Sequence, residues 1–199
     1  MNPQQQVKDS FLSFIKVGLS YYKVNVDEHG HIITLMQSIL IPQSAQSPWH
    51  PDNPLHTSQK IVLILLPRAS YKTTIASVSF PMWAIERNPN LTFLIDSETY
   101  NLSKSVLSEI KQQYETGPYT QLFPAIERKN VDRWAEDSII HPRRTEPKKE
   151  GSINAAGLDG VKAGMHYDFI IADDLHSQNN TRTQYQIDQV VEHYRLLLP

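Results

Sequence analysis

Two groups of side chains, about a hundred residues apart, have the types and spacing that handle phosphate. The first closes the stretch Lys60–Thr74, KIVLILLPRASYKTT, where a short polar loop ends in Lys72, Thr73 and Thr74. An ammonium at that point reaches the outer oxygens of a polyphosphate, and the hydroxyl of Thr73 can hold a magnesium ion. Backbone N–H groups of the loop and of a following helix would point at the same anion, reinforced by the helix dipole. The second group ends Tyr167–Asp174, YDFIIADD, where an apolar run reads as a buried strand that delivers two acids. Asp173 suits a magnesium ligand acting through water, since that ion keeps much of its hydration shell. Asp174 suits the orientation or deprotonation of an attacking water.

These residues need elements to position them. Ile61–Leu66 is a short, consecutive apolar run with β-branched members, which predicts a strand buried on both faces. Pro67 stops it, having no N–H for a ladder. After Thr74, IASVSFPMWAIE takes helical spacing. Strand, loop, Lys-Thr and helix make the arrangement of P-loop NTPases, whose Walker A pattern is G-x-x-x-x-G-K-[ST]. The two glycine positions of that pattern hold Leu66 and Tyr71 here, and the loop has no glycine. Glycine normally lets the backbone approach the phosphates in unusual dihedrals. Tyr71 must therefore adopt a strained backbone or hold the loop away from a phosphate. Taken alone, the stretch fits a buried strand ending in a polar turn as well as it fits a nucleotide site. The two acids alone fit a strand end followed by a helix cap. Together they favour Walker A and Walker B.

The chain has 199 residues, 40% hydrophobic, with a formal net charge of −2. That allows one domain with a sizeable core and excludes a strongly basic nucleic-acid coat. There is no cysteine, so disulfides and thiolate metal sites are excluded. MNPQQQVKDS lacks the form of a signal peptide, and no apolar run is long enough to span a membrane.

Taken in order, Val7–Tyr22 predicts a helix burying Phe11, Phe14, Ile15 and Leu19, with Asp9 or Ser10 as a cap, and His31–Leu40 a second. IPQSAQSPWHPDNPLHTSQ reads as a loop, and its His50 and His56 have no ligand-spaced partners for a metal. Leu91–Ile95 predicts a second buried strand, then a helix over Asn101–Tyr114 burying Leu102, Val106, Leu107 and Ile110. This strand–helix alternation is that of a mainly parallel α/β sheet flanked by helices, with ligands at the carboxyl ends of the strands. Asp96, Ser97 and Glu98 then fall near the phosphate loop but read best as a helix N-cap. The basic run with Arg143, Arg144, Lys148 and Lys149 reads as a solvated loop, ahead of a DNA-facing patch or a contact to a neighbouring subunit. Four of the seven glycines, Gly151, Gly157, Gly160 and Gly164, precede the second acidic group and predict a turn or hairpin. From about Thr181 a last helix is expected, burying Tyr185, Val190, Val191 and Tyr194.

Three pieces together resemble the ATPase domain of the large terminase subunit of tailed bacteriophages: PRASYKTT, NLTFLIDSETYNLSKSVLSEI, and GLDGVKAGMHYDFIIADDLHSQNNTRTQYQIDQVVEHYRLLLP. The likeness runs over roughly 58–199. It implies a P-loop ATPase core there, with 1–57 as an N-terminal helical segment and proline-rich loop packed on it. It also implies that the chain stops before the family's coupling strand and nuclease domain. By position it implies nucleotide contacts from Pro67, Arg68, Ala69, Ser70, Tyr71, Lys72, Thr73 and Thr74. Magnesium would be held by Thr73 and Asp173, with Asp174 where most members have the catalytic glutamate. Arg68 is the loop's extra basic residue, and Lys162 ranks ahead of Arg143 and Arg144 as the basic residue offered to a neighbouring subunit's site.

The function so implied is Mg-dependent ATP hydrolysis that drives double-stranded DNA into a procapsid. The expected partners are DNA, the portal and procapsid, the small terminase subunit and further copies in a ring. The expected place is the host cytoplasm, and the isolated domain is expected to be a monomer with feeble activity. A helicase-like ATPase and an inactive P-loop interaction module stand as alternatives; the missing glycines favour the second, and the intact Lys72, Thr73, Asp173 and Asp174 oppose it.

Overall fold

A computed structural model describes residues 2–41, 61–158, 160, 165–176 and 180–197. The expected proline-rich loop with His50 and His56, the boundary near residue 57, and Lys162 all lie outside the described residues.

The first helix is broken where the sequence offers caps. α1 (Pro3–Asp9) starts behind Asn2, whose side chain accepts from the Gln4 N–H. Ser10 then caps α2 (Phe11–Ser13), which runs on as a π-helical stretch, Phe14–Gly18. The expected stripe Phe11, Phe14, Ile15 and Leu19 is wholly buried across this break. α3 (Val26–Leu40) is capped by Asn25 and carries Asp27 and Glu28 in its first turn, where the helix dipole favours acids.

A second π-helical stretch, Thr74–Ser79, leads into α4 (Phe80–Arg87). β1 (Phe93–Ser97) follows, then α5 (Tyr100–Glu115), β2 (Ser138–Ile139), β3 (Ile153–Gly157), β4 (Phe169–Ala172) and α6 (Gln184–Leu197). The strands form one mixed sheet in the order β2-β3-β1-β4. β1 is parallel to β3 and to β4, with Asp96 level with Ala156 and with Ala172. The short β2 runs antiparallel to β3. Phe93 and Ile95 enter the main core with Phe11, Phe14, Phe80, Trp83 and Tyr114. Leu94 faces a smaller cluster with Ala156 and Leu197 of α6, so helices lie against both faces.

Four expectations change. Ile61–Leu66 is not a strand buried on both faces: it joins none of the four strands, and Ile61, Leu63 and Leu65 are 71, 78 and 81% exposed. Only Ile64 and Leu66, on the alternate positions, pack against the core. An apolar run specifies hydrophobicity, whereas burial on both faces needs ladder partners and two covering layers. The glycine-rich region is not simply a turn, since β3 lies within it. α6 buries Val190, His193 and Leu197, while Tyr185, Val191 and Tyr194 are exposed. Leu102, expected inside, is exposed on α5.

Candidate functional site

The loop after Leu66 turns tightly, with the Ser70 hydroxyl donating to the Pro67 carbonyl at 2.7 Å. Ala69 and Tyr71 both sit in the left-handed region, at φ 62° and 55°. Tyr71 thus takes the glycine-like backbone that its position requires, one of the two outcomes its presence allowed. A side chain there strains the backbone by about 1–2 kcal/mol. Its ring packs edge-on against that of the buried His29 of α3, with centroids 5.8 Å apart. The Tyr71 carbonyl then accepts from the Ile75 N–H at 2.9 Å, which opens the helical turn.

Lys72 closes onto the end of β4. Its Nζ lies 3.0 Å from Asp173 Oδ1 and 2.7 Å from Asp174 Oδ1. Partial burial opposes its charge, but hydrogen bonds to Asp174 and Asp173 outweigh that and hold its pKa above the ordinary lysine value. The two acids differ in setting. Asp173 is 8% exposed, and its Oδ2 accepts from the buried Ser77 hydroxyl at 2.8 Å. Its N–H donates to the Asp96 carbonyl at 2.9 Å, continuing the β1–β4 ladder. Asp174 has turned out of the sheet at φ 51°, and its side chain is 73% exposed. One acid is fixed and the other is open to water.

Asp96 is not a helix cap, nor is Ser97; both belong to β1, and Thr99 caps α5 by accepting from the Leu102 N–H. Asp96 Oδ2 lies 2.6 Å from His193 Nε2 of α6, and both side chains are buried. Burial pushes the Asp96 carboxyl up, against the opposing pull of His193. Neither the Asp96–His193 pair nor the Ser77–Asp173 bond carried a sequence signal. Both join residues about a hundred positions apart, and a lone serine or histidine within a helix reads as ordinary.

The basic run is not simply solvated. Arg143 Nη2 meets the buried Glu86 Oε2 at 2.6 Å. Arg144 donates to the carbonyls of Glu146 and Glu150, at 2.9 and 2.6 Å. Lys148 donates to the Asn90 carbonyl at 2.6 Å and approaches Asp168 at 3.3 Å. Acidic partners thus offset the charges of Arg143 and Lys148, whereas Arg144 is held by neutral carbonyls and keeps its charge. Arg68 is exposed on the loop.

Among the described residues no group of three or more His, Cys, Asp and Glu comes together as a metal cage. The donors that do converge are hard ones, the carboxylates of Asp173 and Asp174 near the Thr73 end of the loop. That set fits magnesium, which binds one or two carboxylates and completes its shell with water and phosphate oxygens. Among the described residues no helix is long and apolar enough to cross a membrane.

Fold and site together define an α/β protein with a mixed four-stranded sheet, in which a lysine just after a tight loop meets two acids at a strand's carboxyl end. Residues 63–196, more than half of the chain, match the family described as terminase large subunit, T4likevirus-type, N-terminal, and the chain belongs to that family. The family's ATPase domain acts in phage DNA packaging, within the host cell. None of the curated proteins matches the chain.

Proposed function

We propose that this chain is a P-loop NTPase, the ATP-hydrolysing part of a motor that moves double-stranded DNA into a procapsid. The observation that carries the reading is the convergence of Lys72 with Asp173 and Asp174, 102 residues apart in sequence for the closer contact. A lysine able to reach β- and γ-phosphates and an acid pair beside it are two of the parts that phosphoryl transfer to water uses. In this reading Lys72 leaves the acids for the phosphates, and the loop from Pro67 to Thr74 wraps them, with backbone N–H groups supplied from Arg68 onward. Thr73 and Asp173 would hold magnesium, which would neutralise charge developing on the transferring phosphate. Asp174, exposed and freed of Lys72, takes the proton of the attacking water. Aspartate is shorter than glutamate by one methylene, so the water sits closer to the strand end. Arg68 meets charge on the γ-phosphate, and Lys162 is offered to a neighbouring subunit in a ring that works with portal, procapsid and small subunit.

A second reading, an interaction module without turnover, is favoured by one observation: the loop carries side chains at both left-handed positions, Ala69 and Tyr71. Titration of ATP with and without magnesium, followed by turnover in the assembled motor, separates the two. Lys72→Ala should abolish binding. Asp174→Asn should leave magnesium–ATP binding nearly intact and slow hydrolysis by at least 100-fold, within the range general bases contribute. Binding that survives Lys72→Ala would falsify the assignment, whereas binding without any turnover by the wild-type motor would select the second reading.

A further inference from the structure

We infer that Ser77 is a positioning residue for the cation: it fixes the Asp173 carboxylate so that one defined oxygen faces the site. The inference rests on the nucleotide reading above and goes one layer behind its residues.

The π-helical stretch Thr74–Ser79 contains two fully buried serines, and they behave differently. Ser79 donates back to the Thr74 carbonyl at 2.7 Å, the usual resort of a serine inside a helix. Ser77 instead crosses to another element and donates to Asp173 Oδ2 at 2.8 Å. That bond commits Oδ2 to the interior. The other oxygen, Oδ1, is the one that Lys72 covers at 3.0 Å. Asp173 therefore has a single oxygen available to a cation, and its direction is set by Ser77. Ser77 also lies four residues after Thr73, one turn further along the same helix face. Thr73 is partly exposed and Ser77 is fully buried. The buried hydroxyl leaves the partly exposed one for the cation itself. π-helical turns are rare and recur at functional sites; here the stretch carries the serine that meets the acid.

Without the Ser77 hydroxyl the carboxylate loses its anchor and rotates, and the cation meets a disordered ligand. Outer-shell partners of metal ligands typically change affinity by about 10–100-fold. The test is the cation's contribution to nucleotide binding. Calorimetry measures the Kd of a non-hydrolysable ATP analogue with EDTA and with saturating Mn2+, for wild type, Ser77→Ala and Ser77→Cys. The quantity read is the ratio of the two Kd values. Ser77→Ala should cut the Mn2+ enhancement by about 10-fold or more and leave the Kd in EDTA unchanged. Ser77→Cys, close in size and a weaker donor, should fall between. Parallel losses with and without Mn2+ would mean that Ser77 only supports the fold, and an unchanged ratio would mean that Asp173 needs no anchor; either overturns the inference. Should Ser77→Ala not fold, the Ser77→Cys ratio decides alone. Absence of analogue binding by the wild-type chain would instead overturn the nucleotide reading, and this inference with it.

Discussion

Tyr71 shows how one residue can be strained by its backbone and held by its side chain at the same time. Its φ of 55° costs any side chain about 1–2 kcal/mol relative to glycine. The contact between its ring and His29 offsets part of that and ties the loop to α3. The two contributions separate by substitution. Tyr71→Ala keeps the strain and loses the contact. Tyr71→Gly loses both, but adds about 0.5–1 kcal/mol of chain entropy to the unfolded state. Urea unfolding should therefore find Tyr71→Gly at least as stable as Tyr71→Ala, by up to about 1.5 kcal/mol, the strain relief less the entropy. A Tyr71→Ala variant more stable than Tyr71→Gly by 1 kcal/mol would show that the left-handed backbone carries no strain.

At the level of elements, close approach explains a strand that the sequence concealed. β3 reads INAAG, with no aromatic and one β-branched residue, so nothing in its composition marks a strand. Its small residues are there because α5 lies directly over it. The Ser103 hydroxyl donates to the Ala156 carbonyl at 2.5 Å. A Cβ on Gly157 would run into the Tyr100 backbone nitrogen and come within 2.9 Å of the Thr99 carbonyl carbon. Both obstacles are backbone at the capped start of α5 and cannot swing away. Gly157→Ala should therefore destabilise the protein by about 1–3 kcal/mol, the usual cost of overpacking, seen as a lower denaturant midpoint with an unchanged slope. A midpoint equal to wild type would mean that the β3–α5 spacing is looser than 2.9 Å implies.

The same elements show what local pattern can and cannot transmit. β1 and β4 were legible as strands because Phe93, Ile95, Phe169 and Ile171 form short apolar runs with β-branched members. But β4, expected to be buried, lies at the sheet edge with Ile170 39% exposed. The start of β1 was misplaced by two residues, because Leu91 and Thr92 precede the ladder. α5 was legible from Val106, Leu107 and Ile110, all buried. Lys72 and the two acids were singled out by type and spacing, and the structure brings them together. What stayed hidden depends on pairing across the chain: the lack of a ladder at 61–66, the Ser77 bond and the Asp96–His193 pair. No periodicity in one segment records what another segment, a hundred residues away, will place beside it.

At the scale of the molecule, one buried carboxylate joins four parts of the chain. Glu86 of α4 accepts from the Tyr119 hydroxyl at 2.6 Å, in the 3-10 turn Pro118–Gln121. Arg143 reaches it from the basic run at 2.6 Å, and Lys8 of α1 lies 3.6 Å away. His141 is buried alongside, with its Nε2 3.7 Å from Glu86 and its ring 5.5 Å from that of Tyr114. A neighbouring acid would ordinarily favour the charged imidazole. Here burial comes first, Arg143 and Lys8 add repulsion, and the His141 pKa is pushed down from 6.5 to about 3. The sign follows directly. In the unfolded chain His141 takes a proton at its ordinary value, while in the folded protein it stays neutral until about pH 3. Its contribution to stability is complete above pH 6.5 and is lost as pH falls toward about 3. The loss approaches about 1.4 kcal/mol per pH unit once the unfolded histidine is fully charged. The chain has seven other histidines, so comparison with a variant that lacks only His141 isolates its share between pH 7 and 5. His141→Asn retains a side-chain acceptor for the Arg143 N–H, a bond that His141 Nδ1 makes at 3.3 Å, and does not titrate. Urea unfolding at pH 7 and pH 5 should therefore show wild type losing about 1–2 kcal/mol more than His141→Asn over this interval. Equal losses in the two proteins would mean that His141 accepts its proton without unfolding, and that the Glu86 cluster opens to acid while the rest of the fold stands.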